Sequence, residues 1–183
     1  MTDLTTTAAV KAYMGLTIAG DDALIASLVS AYSTWVRSWT NRDFTVQTYD
    51  MVRSGRGQVV MLTPQYPITG VTSVTVDGIS IPAAAAFGKY GFRYTDRMVV
   101  MDGGACFTIG SANVEIVYSA GYATIPADIA QAVNELVALR YKLRDKLEWS
   151  SKSLAGETVT LNTRDMPASV ATLLRQYQNN VPL

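Results

Sequence analysis

The chain has no histidine, a single cysteine and, across 183 residues, few charges. Without histidine it lacks the commonest general base near neutral pH, the Ser–His triads and most transition-metal sites. A single cysteine, Cys106, excludes an internal disulfide and any multi-cysteine zinc site. Set between Ala105 and Phe107, it reads as a small buried hydrophobe. No window approaches the roughly eighteen apolar residues of a membrane span. The opening residues, Met1-Thr2-Asp3-Leu4-Thr5-Thr6-Thr7, have no basic stretch ahead of an apolar one. A soluble protein made in the cytoplasm is the expectation, with no membrane partner.

Charged residues make up 16% of the chain, against roughly 25% for ordinary soluble domains. Such a shortage suggests surface that other subunits cover. Fifteen basic and fifteen acidic residues cancel, and neither half is lopsided. Tight nucleic-acid binding needs clustered Lys and Arg to neutralise phosphates. The nearest approach, Arg140, Lys142, Arg144, Lys146 and Lys152, is diluted by Asp145 and Glu148 and would spread around a helix as a solvated face. The only adjacent acids, Asp21-Asp22, sit at a helix start, where capping accounts for them. The glycine-rich run Gly103 to Gly110 lacks the Gly-Lys-Ser/Thr ending of a phosphate loop and reads as a turn. Ten tyrosines and three tryptophans could line a pocket, yet Trp35 and Trp39 fall on a helix stripe and read as packing. No catalytic, cofactor-binding or metal-binding residue is assigned, and the chain is not expected to be an enzyme.

Periodicity divides the chain into helical ends and a β-rich middle. A short helix is expected around Thr7 to Met14. A long one follows Gly20, in which Leu24, Ile25, Leu28, Val29, Tyr32, Trp35, Val36 and Trp39 fall within about 140° of arc. Residues 44–122 read as β structure. Val74-Thr75-Val76-Asp77-Gly78-Ile79-Ser80-Ile81 is a hairpin, since Asp-Gly suits a type I′ turn with positive φ at both central positions. It places Val74, Val76, Ile79 and Ile81 on one face. Further strands are expected near 46–53, 58–62, 92–101 and 112–118. Pro126 opens a helix over 123–149 with an apolar stripe of Ile129, Val133, Leu136, Val137, Leu143 and Leu147. Residues 150–166 read as a flexible loop with a possible strand at Thr158 to Leu161. A last helix within 167–183 carries Val170, Leu173, Leu174 and Tyr177. The fold class is α+β: one domain over 1–183, helices at 1–43 and in the C-terminal part bracketing an inserted antiparallel β subdomain.

The second face of the long helix is unusual. It reads Ala26, Ser27, Ser30, Ala31, Ser33, Thr34, Arg37, Ser38, with one charge. Small residues let two backbones approach closely, so this face is a candidate subunit interface, centred on Ser27, Ser30, Thr34 and Ser38; the alternative is an exposed Ser-rich face, or one covered by another helix of the same chain. Leu154, Glu157, Val159 and Leu161 of the 150–166 segment, with Leu173 and Tyr177 of the last helix, complete the candidate set.

Four stretches together resemble the head–tail connector proteins of tailed bacteriophages, also called adaptor or head-completion proteins. They are Asp21-Asp22-Ala23-Leu24-Ile25 through Thr40-Asn41-Arg42-Asp43-Phe44; Tyr66-Pro67-Ile68-Thr69-Gly70-Val71-Thr72-Ser73-Val74 with Asp77-Gly78; Val117-Tyr118-Ser119-Ala120-Gly121-Tyr122 with Ile125-Pro126-Ala127-Asp128-Ile129; and Ser153-Leu154-Ala155-Gly156-Glu157. The resemblance spans roughly residues 20–160 and is poor beyond. It implies an α-helical connector core with a β insertion and a location in the virion neck at the capsid vertex. There the subunits would form a ring under the portal protein, about twelve-fold to fit its symmetry. The ring would extend the channel through which double-stranded DNA passes without sequence-specific binding. It would also dock the next connector, a stopper or the tail. No catalytic residues carry over. A closed ring needs two different patches per subunit, and a 150–166 loop ordering on assembly would delay ring formation. The alternatives are another virion joining protein, such as a tail terminator or stopper, and a small-ligand-binding module built on the aromatic β insertion.

Overall fold

The computed structural model describes residues 2–144, 151–154, 157–160 and 166–179. In chain order the elements are α1 (Thr7–Met14), α2 (Asp22–Thr40), β1 (Gln47–Arg53), β2 (Val60–Leu62), β3 (Ile68–Val76), β4 (Ile79–Ile81), β5 (Gly91–Tyr94), β6 (Met98–Asp102), β7 (Val114–Ala120), α3 (Ala127–Leu143), β8 (Ser151–Leu154), β9 (Glu157–Thr160) and α4 (Ala168–Arg175). The fold class is α+β, with a helical part built from both ends of the chain and an antiparallel β insertion. Two compact units result, one from residues 2–42 and 125–179, the other from 43–124.

The helical unit buries Val10 of α1, Ile25, Val29 and Val36 of α2, Ile129, Val133, Leu136 and Val137 of α3, and Val170 and Leu174 of α4. On α2 the buried line is Ile25, Val29, Ser33, Val36, Arg37 and Thr40. This corrects the expected stripe, because Leu24 is exposed and Leu28, Tyr32, Trp35 and Trp39 are only half-buried. The N-terminal segment is the reason. Leu4 is buried, and its N–H donates to Ser33 Oγ at 2.9 Å. Arg37 Nη2 donates to the Thr2 carbonyl. Thr5 Oγ1 donates to Asn134 Oδ1 on α3 at 2.7 Å. Residues 2–5 thus cover the flank of α2 that carries Ser33 and Arg37, and they turn the helix away from a purely apolar contact. Asp21 also departs from expectation. At the N-cap of α2 its side chain makes no capping bond. Its carboxylate accepts from the Tyr141 hydroxyl and lies 3.4 Å from Arg144 Nη1, while Asp22 pairs with Lys11 at 2.6 Å.

The β unit is two antiparallel sheets, four strands in the order β1-β7-β3-β4 and three in the order β2-β6-β5. Their inner residues form one core: Met51, Val74, Val76, Val114, Ile116 and Tyr118 from the first sheet, with Met61, Phe92, Val99 and Met101 from the second. Residues 92–101, read as one strand from sequence, are instead the hairpin β5–β6. Thr95 and Met98 close it, with the Thr95 N–H donating to the Met98 carbonyl at 2.9 Å. The 74–81 hairpin has the expected register, Val74 with Ile81 and Val76 with Ile79. Asp77 and Gly78 take φ of 52° and 77°. Ile79, beside the turn, is nevertheless exposed, although its cross-strand partner Val76 is buried. Cys106 is half-buried between the buried Ala105 and Phe107. Residues 151–160, expected within a flexible loop, include the β8–β9 ladder. Leu147 of the expected α3 stripe lies outside the described residues.

Two glycines with positive φ differ in what surrounds them. A Cβ at Gly78 would meet nothing within 4 Å, whereas at Gly121, φ 130°, it would lie 2.3 Å from the Thr45 carbonyl oxygen. Strain of an L-residue at positive φ costs on the order of 1–3 kcal/mol. Gly78→Val is therefore expected to destabilise by about 1 kcal/mol or more. Gly121→Ala, which adds a backbone clash to strain, should cost more. Thermal melts of the two variants beside the parent check both the direction and the ranking.

Candidate assembly surfaces

The helix face singled out by composition is open. Ser27, Ser30, Thr34 and Ser38 are all exposed on α2, together with Ala23 and Ala31. At 100° per residue the four span about 80° of arc. Two of the hydroxyls are spent on their own helix: Ser27 Oγ donates to the Leu24 carbonyl at 2.8 Å and Thr34 Oγ1 to the Ser30 carbonyl at 3.0 Å. The face therefore offers small, weakly polar groups and no charge. Arg37, the one charge expected on it, is buried against the N-terminal segment instead. Leu24, Leu28, Trp35 and Trp39 border this face as an exposed to half-buried apolar flank. An open helix surface of this breadth without Lys or Glu is suited to cover by another protein surface, because its desolvation sacrifices few strong water contacts.

Leu173 and Tyr177 lie apart from that face in sequence and are half-buried. Tyr177 is tied into the helical unit, its hydroxyl donating to Asp128 Oδ2 at 2.6 Å and its carbonyl accepting from Arg42 Nη1 at 3.4 Å. Leu154, Glu157 and Val159 fall on the β8–β9 ladder, where Leu154 pairs with Glu157 and Lys152 with Val159. Their side chains, and Leu161 altogether, lie outside the described residues. Sequence reasoning passed over Phe87 and Ile109, apolar loop-tip residues that are 84% exposed. An isolated large apolar residue within a glycine- and alanine-rich loop was the available signal.

The carboxylates of the β unit hold loops in place. Asp77 accepts from the Thr108 hydroxyl and from Asn113 Nδ2, the latter at 2.8 Å, which ties the β3–β4 turn to the segment before β7. Asp102 accepts from the Gly88 N–H at 2.9 Å, the Gly103 N–H at 3.0 Å and Arg93 Nε at 2.8 Å. The Arg93 guanidinium also lies 4.8 Å from the Phe87 ring centre. Both carboxyls are held below the ordinary aspartate range. Thr108 and then Asn113 lower Asp77. Gly88 contributes most for Asp102, with Gly103 and Arg93 adding to it against a partial desolvation. Among the described residues no group of three or more His, Cys, Asp or Glu side chains is placed to hold a metal ion, and no helix is long and apolar enough to cross a membrane.

A carboxyl whose folded pKa is depressed contributes stability above its unfolded pKa and loses it as pH falls through the folded value. The β unit should therefore lose stability as pH is lowered below about 4, the ordinary aspartate range. The double variant Asp77→Asn/Asp102→Asn should show a shallower dependence in that window. Melting temperatures measured between pH 5 and pH 2.5 test this, and equal slopes for parent and variant would contradict it.

Comparison with known proteins adds to this geometry. The family model described as head completion protein matches residues 3–180. Among curated proteins no match was found. Solved structures share the fold, among them the three that follow. The neck of an empty GTA particle, computed with C6 symmetry, aligns with a TM-score of 0.59 and 23% identity over 97% of this chain and 90% of that one. The virion of a native gene transfer agent particle gives 0.58 and 22% over 97% and 90%. The neck of a native GTA particle, computed with C12 symmetry, gives 0.55 and 23% over 88% and 85%.

Proposed function

Because the chain belongs to the head completion protein family, we propose that it acts as one subunit of a ring that sits beneath the portal of a phage-like particle. Its role is structural, that of a head–tail connector in the virion neck. The ring has about twelve subunits and its axis carries the DNA channel. One end meets the portal, and the other presents a docking surface to the next connector or the tail. The family match over residues 3–180 carries this reading. The C6 and C12 symmetries of the two neck structures with the same fold agree with a cyclic arrangement.

Physical features of this chain support the same reading. A cyclic ring joins unlike patches of successive subunits, and the charge-free outer face of α2 is suited to be one of them. Zero formal net charge is compatible with a channel along which DNA must slide, since clustered Lys and Arg would bind its phosphates. We read the chain as non-catalytic: its family is one of structural virion proteins, and Asp77 and Asp102 are occupied in holding loops.

Native mass spectrometry of the purified chain, alone and with the portal of the same particle, tests this. Rings or portal complexes are expected, and a chain that stays monomeric with portal present contradicts the proposal. Ser30→Lys and Thr34→Lys would bury an unpaired ammonium in the α2 interface. Each should weaken association about tenfold or more, roughly 1.4 kcal/mol per factor of ten. The circular dichroism spectrum of the monomer should stay unchanged. Undiminished assembly of both variants would remove α2 from the interface.

A further inference from the structure

Among the outer strands of the β unit, β2 has an edge that no other strand pairs with among the described residues, and its surroundings specify what can pair with it. β2 is an outer strand of the three-stranded sheet. On one side it pairs with β6 in a single register, Val60 with Val100, Met61 with Val99 and Leu62 with Met98. The Met101 N–H donates to the Val59 carbonyl at 2.7 Å, and the Thr63 N–H donates to the Arg97 carbonyl at 3.0 Å. Backbone groups alternate sides along an antiparallel strand. Val59, Met61 and Thr63 therefore face β6, and the N–H and C=O groups of Val60 and Leu62 point to the opposite, open edge. Within Val60-Met61-Leu62 there is no Lys, Pro or bulge, so the shortness of the strand is the one usual guard this edge has.

Beside this edge lies a cleft of about 540 Å³. Val52, Met61 and Leu62 give it an apolar side, and Arg53 and Arg56 give it a positive one, with no acid among its lining residues. Arg53 follows Tyr49 and Met51 on the core-facing side of β1, and Arg56 is exposed in the β1–β2 connection. Neither forms an ion pair with any described residue. On the outward face of the small sheet, Val60 and Leu62 are 39% and 53% exposed, beside the half-buried Met98 and Val100.

We propose that the free edge of β2 accepts an extended segment of a partner protein as a fourth strand, the segment carrying acidic and apolar residues in alternation. Strand side chains alternate in direction. One set of the added strand extends the apolar face of Val60, Leu62, Met98 and Val100. The other set turns toward the cleft, where Arg53 and Arg56 receive its carboxylates. A small anion would meet the arginines and leave the Val60 and Leu62 carbonyls unpaired, a DNA backbone offers no donors to those carbonyls, and the 2′-hydroxyls of an RNA backbone do not supply the alternating donors and acceptors of a strand. A peptide main chain pairs with both donors and acceptors, which is the recognition mode of strand addition. The cleft is complete within one chain, so this proposal stands or falls independently of the ring.

The test uses the full chain, isotope-labelled for NMR, with the blocked peptide Thr-Glu-Val-Glu-Val-Glu-Thr at millimolar concentration. Hydrogen exchange at the Val60 and Leu62 amides is expected to slow about tenfold or more, while Met61, already bonded toward β6, changes little. The same peptide with lysine for glutamate, and one N-methylated at alternate amides, should each bind at least about tenfold more weakly. Arg56→Glu, at an exposed loop position, should reverse the preference for glutamate over lysine without altering the spectrum of the core. No protection at Val60 and Leu62, or equal binding of the three peptides, overturns the proposal. So does protection that grows with protein concentration in the absence of peptide, which would make a second copy the occupant. Inorganic phosphate that displaces the peptide and leaves Val60 and Leu62 unprotected would reduce the cleft to an anion site and overturn it as well.

Discussion

The β unit depends on the alternation of β7. Val114, Ile116, Tyr118 and Ala120 are all buried, and the strand pairs with β1 on one side and β3 on the other. Every residue turned inward from β7 belongs to the core of the β unit, so a one-residue slip would expose the whole set and bury Glu115. Tyr118 is the largest of these side chains and only 1% exposed. Its hydroxyl accepts the Gln65 N–H at 3.3 Å, which ties the β2–β3 connection to the sheet centre. Burial pushes the phenol upward, against smaller opposing effects of that backbone bond and of Arg53. With the ring neutral, the core keeps an aromatic wall with Tyr49, whose ring centre lies 5.6 Å away. Of the outward residues of β7, Glu115 is exposed, and Val117 and Ser119 are half-buried.

α2 obeys a related constraint with a different outcome. Its apolar residues cover a wider arc than one packing contact can hide. The N-terminal segment takes the side of Ser33 and Arg37, so the helix turns its other apolar flank, from Leu24 to Trp39, toward the surface. Adjacent to that flank lies the charge-free stripe of Ser27, Ser30, Thr34 and Ser38. A monomer intended to remain alone would normally place Lys or Glu there, since exposed contiguous apolar surface favours association. The low overall charge is thus a local feature of one helix face as well as a property of composition.

What could be read from the sequence was governed by how local its cause is. Asp77-Gly78 dictates its own turn, and Gly15, Gly20 and Pro126 punctuate helices through backbone geometry alone, so the α+β class and the segments carrying α1, α2 and the hairpin were legible. The division of 91–102 into β5 and β6 was not. Thr95-Asp96-Arg97 carries neither Gly nor Pro, and the turn there is held by pairing with the rest of the sheet. The orientation of α2 was hidden for the same reason. Periodicity gives the width of an apolar arc, whereas Leu4, Thr2 and Asn134, remote in sequence, decide which part of it is buried. Asp21 looked like a cap, and a partner some 120 positions away claimed its carboxylate. The open side of β2 is the extreme case: nothing in Val60-Met61-Leu62 says which edge lacks a neighbour until the strand order is known.

A strand edge without Lys, Pro or bulge and an uncharged helix face are liabilities for any free protein, for the edge invites indiscriminate pairing and the face indiscriminate burial. They are tolerable when their targets are specified by more than hydrophobicity. In the proposed interface at α2 the specification would be steric, because small residues admit only a surface able to approach the helix backbone closely. At β2 it is electrostatic and directional, because Arg53 and Arg56 repel basic segments and two donors with two acceptors demand a main chain in register. The surfaces therefore discriminate by different physics, close packing in one and charge with hydrogen-bond geometry in the other. A joining protein that must meet copies of itself and unlike neighbours without confusing them needs that separation, since a single kind of sticky surface could not tell the two apart.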